Sequence, residues 1–198
     1  MIEEPSTLLT EIRHLEEEVK LVHNEVMLPR WNGPFHGLVQ TLYGYVMITF
    51  AHVDRASALW AGSDNAKGQT PRMLAFLNRY VSPNHEANSV AVQDWRHKLM
   101  HTARPRVLTD AAMGRTYHQL LHWWIHLPRE QHYTFVEAPN RRILNIGLVY
   151  LIEDLRVGIE RYLGDLAGSQ DLQKKFDTVR GKFGSYAFLL ILSGRGDR

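Results

Sequence analysis

The sequence predicts a mainly α-helical chain, a helical bundle with a small β-containing insertion around residues 106–147. Three observations predict it. Long stretches place apolar residues at three- and four-residue steps, proline and glycine signals stand at their ends, and only 106–147 lapses into short runs of a different period. At 198 residues the chain is long enough for one well-buried core, and residues 1–198 read as a single domain without repeats, low-complexity tracts or a linker.

The first helix is expected from about Ser6 to Leu28, where Leu8, Ile12, Leu15, Val19, Val22 and Val26 form one stripe beside Glu16, Glu17 and Glu18. Pro29 and Asn32-Gly33-Pro34 end it. The second, Phe35 to Trp60, is apolar around much of its circumference (Leu38, Leu42, Tyr45, Val46, Ile48, Phe50, Val53, Leu59), the pattern of a helix in the middle of a bundle. Gly62 to Asn65 and Gly68 make a polar loop. Thr70-Pro71 then reads as a helix start, with Thr70 as N-cap and the helix running to about Val81. Pro83-Asn84 breaks the pattern. A fourth helix spans Glu86 to Thr102, closed by Arg104-Pro105, because a residue before proline avoids the helical region. Val107-Leu108, Met113-Gly114-Arg115, Gln131 to Val136 and Arg142-Ile143-Leu144 read as short strands, while Tyr117 to His126 fits strand or helix. A strong helical pattern resumes from Ile146 to Leu166, and Gly168-Ser169 begins a final helix that ends after Gly194.

Hydrophobic residues make up 44% of the chain and charged residues 22%, ordinary for a globular protein. The absence of cysteine excludes disulfides and thiolate metal sites, which leaves eleven histidines as the plentiful soft ligand. The opening Met-Ile-Glu-Glu-Pro lacks the basic-then-apolar pattern of a secretory signal. The longest apolar run, Tyr186 to Leu192, falls far short of the roughly 20 residues a membrane helix needs, so a cytoplasmic protein without a membrane partner is expected. A net charge of +2 does not by itself argue for nucleic acid. Its distribution is more telling: the first 30 residues are acidic, whereas 96–106 holds Arg96, Lys98, Arg104 and Arg106 with His97 and His101 and no carboxylate. A phosphate backbone suits that segment, and so does water around a basic loop.

The stretch with the most chemical content is Arg96-His97-Lys98-Leu99-Met100-His101. A permanent guanidinium beside an imidazole that titrates near neutral pH suits chemistry on a phosphodiester. Val92, Trp95 and Leu99 mark the core stripe of its helix. At about 100° per residue, Arg96 flanks that stripe and His101 lies about 140° away from Arg96, nearly opposite the core. His101 is thus a plain surface residue or part of a site that another surface completes.

An arginine, a polar residue, three more residues and a histidine, ending a helix in an all-α bundle, resembles the HEPN family. The likeness is specific over about ten residues, from Trp95 through the motif, and topological elsewhere. It implies a helical bundle that commonly dimerises, bringing two motifs together across the two-fold, so that His101 meets its twin. It also implies a metal-independent endoribonuclease of a defence or toxin–antitoxin system, with RNA as substrate and no cofactor. In that reading His101 is the acid/base on a ribose 2′-hydroxyl, Arg96 stabilises the phosphorane, and His97 orients His101 or contacts phosphate. Lys98 and Arg104 guide the RNA backbone. Asp54 is the candidate for an acidic residue that some members place on the second helix, although beside Arg55 it also reads as a surface pair or a capping group. Where some family toxins carry a tyrosine two residues after the histidine, this chain has Ala103. Other HEPN domains are non-catalytic, binding a nucleotide or a partner such as a nucleotidyltransferase, and this is the alternative. An antitoxin is the other partner the resemblance implies.

His118, His122 and His126, followed by His132, share one face on a helix or a strand and match metal-ligand spacing, but satisfied or exposed histidines give the same pattern. Glu11-x2-His14 is half of a ferritin-type di-iron motif whose second half is missing. No phosphate-binding loop, dinucleotide fingerprint, zinc-protease motif or nucleophile elbow is present, so hydrolase, kinase and dinucleotide-enzyme readings lose their usual support. A metal protein using His118, His122 and His126 is a third reading, and no metal site is assigned in the leading one. Trp31, Trp60 and Trp95 read as core or interface residues.

Overall fold

The structure is a computed structural model and describes residues 4–27, 38–93, 108–110, 115–122, 127–139 and 141–183. Along the chain run α1 (Pro5–Val22), α2 (Leu38–Ala61), α3 (Gln69–Phe76), α4 (His85–Ala91), β1 (Leu108–Asp110), β2 (Arg115–His122), β3 (Thr134–Ala138), β4 (Arg141–Gly147), α5 (Leu148–Gly168) and α6 (Gln170–Arg180). The fold is mainly α, with one small sheet.

Pro5 opens α1 where its missing amide has no intrahelical partner to lose. Of the stripe read from the sequence, Leu8, Ile12, Leu15 and Val19 are the residues α1 buries, while Val22 and Val26 are only partly buried. A second face is ionic and meets α5: Arg13 reaches Glu160 at 2.9 Å, and Glu16 accepts from Lys20 at 2.5 Å and from Arg156 at 2.7 Å. Burial pushes the Glu16 carboxyl up, but the hydrogen bonds from Lys20 and Arg156 outweigh it and hold the group below the usual range.

α2 takes the central place its composition predicts, packing against α1, α3, α5 and α6. Val46, Phe50, Val53, Ala56 and Leu59 are buried. It stops at Gly62, whose φ of +70° is the left-handed conformation of a helix C-terminus. Ser63 N–H there reaches back to Ala58 O at 3.1 Å, and a Cβ on Gly62 would stand 2.9 Å from Lys175 Cβ on α6.

The start of α3 corrects the sequence reading. Asn65 Oδ1 accepts the Lys67 amide at 2.9 Å and opens a 3₁₀ turn over Ala66–Gly68, from which α3 continues at Gln69. Thr70 is therefore inside the helix. Pro71 is tolerated because it still lies in the first turn, whose amides have no helical acceptor. α3 widens into a π-type turn over Leu77–Val81. Phe76, Tyr80, Trp60 and Tyr162 close on one another there, with ring centroids 5.2 Å (Phe76–Tyr80), 5.9 Å (Phe76–Tyr162) and 6.3 Å (Trp60–Phe76) apart. The tryptophan at position 60 is partly buried and packs against the core.

Strand order in the sheet is β1-β2-β4-β3. β1 and β2 are antiparallel, as are β3 and β4, whereas β2 and β4 run parallel with Thr116 opposite Arg141 and His122 opposite Gly147. The segment that fitted strand or helix is therefore a strand as far as His122. β4 passes straight into α5, so helix begins at Leu148, and Ile146 belongs to the strand. Leu144 and Ile146 are fully buried in the same core as the helices, so the region 106–147 contributes to that core. The final helix is a second correction: α6 ends at Arg180 with Gly181 as its C-cap, well before Gly194. Among the described residues no helix is long and apolar enough to cross a membrane.

Candidate functional site

Arg96, His97, Lys98, His101 and Arg104 lie outside the described residues. What the structure shows is the base of the helical segment that leads to them. Asn84 caps α4, its Oδ1 accepting the Ala87 amide at 3.1 Å, while its Nδ2 donates to Tyr133 O at 3.1 Å. Asn88 is fully buried and donates from Nδ2 to Asn78 Oδ1 at 2.6 Å and to Ser82 O at 2.9 Å. Ala87, Val90, Ala91 and Val92 supply the apolar side. Val92, the first residue of the stripe that continues through Trp95 and Leu99, is fully buried; those two lie outside the described residues. On the exposed side Glu86 pairs with Arg142 of β4, whose guanidinium lies 4.2 Å from the Phe135 ring centroid and bonds Glu137 at 2.5 Å. α4 is thereby fastened both to the α3 end of the bundle and to the sheet.

Asp54, the acidic candidate on the second helix, does not pair with Arg55. Its Oδ1 accepts from Arg72 Nη2 at 2.9 Å and its Oδ2 from Gln69 Nε2. Arg72 is buried and fully engaged, with Nε on Ser57 Oγ at 3.2 Å and Nη1 on Asn65 O at 3.1 Å. A buried guanidinium needs such a complete set of acceptors. The group locks α2, the 63–68 loop and α3 together. Arg55 pairs instead with Glu11 of α1, the acid of the rejected di-iron half-motif.

A buried polar centre that sequence reasoning did not isolate lies where the sheet meets α5. The Gly147 amide donates to His132 Nδ1 at 3.0 Å, which assigns the proton of the neutral ring to Nε2. Nε2 faces Asp154 Oδ2 at 3.3 Å, without good hydrogen-bond geometry. Asp154 also holds Arg129, which stacks 4.8 Å from the Tyr150 ring centroid. With Nδ1 accepting from the Gly147 amide and Nε2 buried near a carboxylate, His132 ties β4 to the start of α5. The next residue, Tyr133, has φ +60°, a conformation that costs a bulky residue about 1–2 kcal/mol. Hydrogen bonds from its amide to Asn145 O at 2.8 Å and from Asn84 to its carbonyl hold it there. Burial, reinforced by Asp154, pushes its phenol far above the ordinary range, so it stays neutral. Nothing in the residue types announces this conformation.

His118 and His122 both belong to β2, four residues apart; His126 lies outside the described residues. Among the described residues no three histidine or carboxylate side chains converge to hold a metal ion.

His52 of α2 carries a testable consequence. Burial lowers its pKa below 6.5, helped by Arg55 and opposed by Glu11. A base whose folded pKa is depressed binds its proton more tightly when unfolded, so its contribution to stability is complete above pH 6.5 and is lost as pH falls below that value. Denaturant titrations from neutral to mildly acidic pH should show His52→Gln losing less stability than the wild type. Parallel losses would contradict this assignment.

No family model, curated protein or solved structure matches the chain.

Proposed function

We propose that this chain is a metal-independent endoribonuclease of the HEPN type, acting as a homodimer. The observation that carries the reading is the Arg96-x4-His101 motif, read from the sequence as ending a helix in a mainly α chain and surrounded by Lys98, Arg104 and Arg106 without a carboxylate. Support comes from the anchoring of α4. A catalytic pair needs a base that does not shift, and Asn84, Asn88 and Arg142 provide one.

In this mechanism an imidazole nitrogen of His101 takes the proton of a ribose 2′-hydroxyl. The 2′-oxygen attacks the adjacent phosphorus, and Arg96 neutralises the charge that develops on the phosphorane. The bond from phosphorus to the 5′-oxygen breaks, and that oxygen takes a proton from the partner's His101. His97 orients His101, Lys98 and Arg104 bind backbone phosphates, and Asp54 supports the site through α2 and α3. A cytoplasmic defence or toxin–antitoxin setting, with an antitoxin or nucleotidyltransferase as partner, belongs to the same reading.

The test uses RNA in excess EDTA. Products should carry 2′,3′-cyclic phosphate and 5′-hydroxyl ends, and one 2′-deoxynucleotide at the mapped position should stop cleavage there. Cleavage that persists across the 2′-deoxynucleotide overturns the mechanism. Saturable binding of a nucleotide or partner without turnover would assign the chain to the non-catalytic HEPN-type modules.

A further inference from the structure

His132 lies buried between two groups on which a charge would act in opposite ways. The Gly147 amide donates to Nδ1 at 3.0 Å, a bond that needs the lone pair of an unprotonated nitrogen. Asp154 Oδ2 stands 3.3 Å from Nε2, placed to attract a cationic ring. Gly147 is the last residue of β4 and the N-cap of α5, so the bond sits at the junction of strand and helix. Titratable and charged groups reach this point from three directions. α5 contributes Asp154 and Tyr150, whose ring centroid lies 5.6 Å from that of His132. The turn before His132 contributes Arg129, which pairs with the same Asp154 and stacks on Tyr150. In the sheet, Tyr133 places its ring centroid 5.4 Å away, and His122 of β2 stands opposite Gly147 in the register.

Imidazole is the side chain whose charge changes between about pH 5 and 8. A proton taken up on Nδ1 points at the Gly147 N–H, and two donors make no hydrogen bond. The amide is then left without its acceptor in a buried site, which costs the bond outright. The cationic ring moves toward Asp154 and away from Gly147. The backbone carries that movement into a strained corner. Tyr133, directly after His132, is held at φ +60° by its amide on Asn145 O and by Asn84 on its carbonyl. Asn84 is also the cap of α4. Strained backbone persists only while its surroundings hold it, so displacement of the ring acts on the ties that join the sheet to α4.

We propose that His132 is a proton-operated latch on the β4–α5 junction. It is closed while Nδ1 accepts from Gly147, and open once the ring is protonated and turned to Asp154. The device stands independently of RNA cleavage, because every group in it lies outside the Arg96-x4-His101 motif.

The test is amide hydrogen exchange in the full chain, read by NMR and corrected for the intrinsic pH dependence of exchange. Between about pH 7.5 and 5.5 the Gly147 amide should lose about tenfold in protection, the worth of one hydrogen bond. The amide of Ile159, fully buried in α5, should keep its own. The imidazole nitrogen signals of His132 should show Nδ1 gaining its proton in step with that loss. His132→Asn places an amide oxygen near the position of Nδ1 and takes up no proton, so it should keep Gly147 protected at both pH values. Unchanged protection of Gly147 in the wild type, or an Nδ1 that stays unprotonated throughout, overturns the proposal even where the variant does not fold. An equal loss in His132→Asn also overturns it, by assigning the effect to another group such as His122. A loss shared by Ile159 does so too, by making it a property of the whole fold.

Discussion

His101→Ala is expected to lower RNA cleavage by about 10²–10⁴-fold, the usual contribution of a positioned acid–base group. Helicity and dimer mass should remain those of the wild type, because helical periodicity in the sequence sets position 101 nearly opposite the apolar stripe of Val92, Trp95 and Leu99, where a side chain is expected to add little to packing. The expectation follows from the two-sided role that the proposed mechanism gives the imidazole. Losing it removes the base in one protomer and the acid in the other, so the loss exceeds that of a single contact. A variant with normal helicity, normal mass and undiminished cleavage would remove His101 from the mechanism.

Gly158→Ala should destabilise the fold by about 1–3 kcal/mol, the cost of forcing extra volume into a packed contact. A Cβ at position 158 would stand 2.8 Å from Val81 Cγ2 and 3.0 Å from the Tyr80 carbonyl oxygen. Neither neighbour can yield easily. Val81 closes the π-type turn, Arg161 reaches the Tyr80 carbonyl at 3.4 Å, and the Tyr80 ring lies in the Phe76–Tyr162 cluster. Gly164→Ala on the same helix is the internal comparison. It has nothing within 4 Å, so it should stabilise by up to about 1 kcal/mol through helix propensity alone. Chemical denaturation of the two variants reads the contrast; a loss at 164 equal to that at 158 would show that α5 does not approach the turn as described.

Local periodicity made α1 legible down to its buried residues, because one helix face and one core are enough to define it. The strands between 108 and 147 were readable as segments, but not their order. Pairing β2 with β4 in parallel depends on contacts made across the β3 hairpin, which no local pattern encodes. The starts and stops of α3 and α6 were misread for a shared reason. Asn65 and Gly181 compete with Thr70 and Gly194 as punctuation, and only tertiary packing decides between them. At the candidate site, the motif was visible because it is contiguous in sequence. Its foundation was not, since Asn84 and Tyr133 are brought together by the sheet and Arg72 reaches Asp54 from another helix. Asp54, the acidic candidate on the second helix, has partners that lie on another helix, since Arg72 and Gln69 of α3 both donate to its carboxylate.

The central claim is met most directly by incubating purified wild-type and His101→Ala protein with a mixture of structured and unstructured RNA in excess EDTA. Cleavage by the wild type alone is the predicted result and identifies a metal-independent ribonuclease whose chemistry runs through His101. Intact RNA with both proteins, or equal cleavage by both, would contradict it.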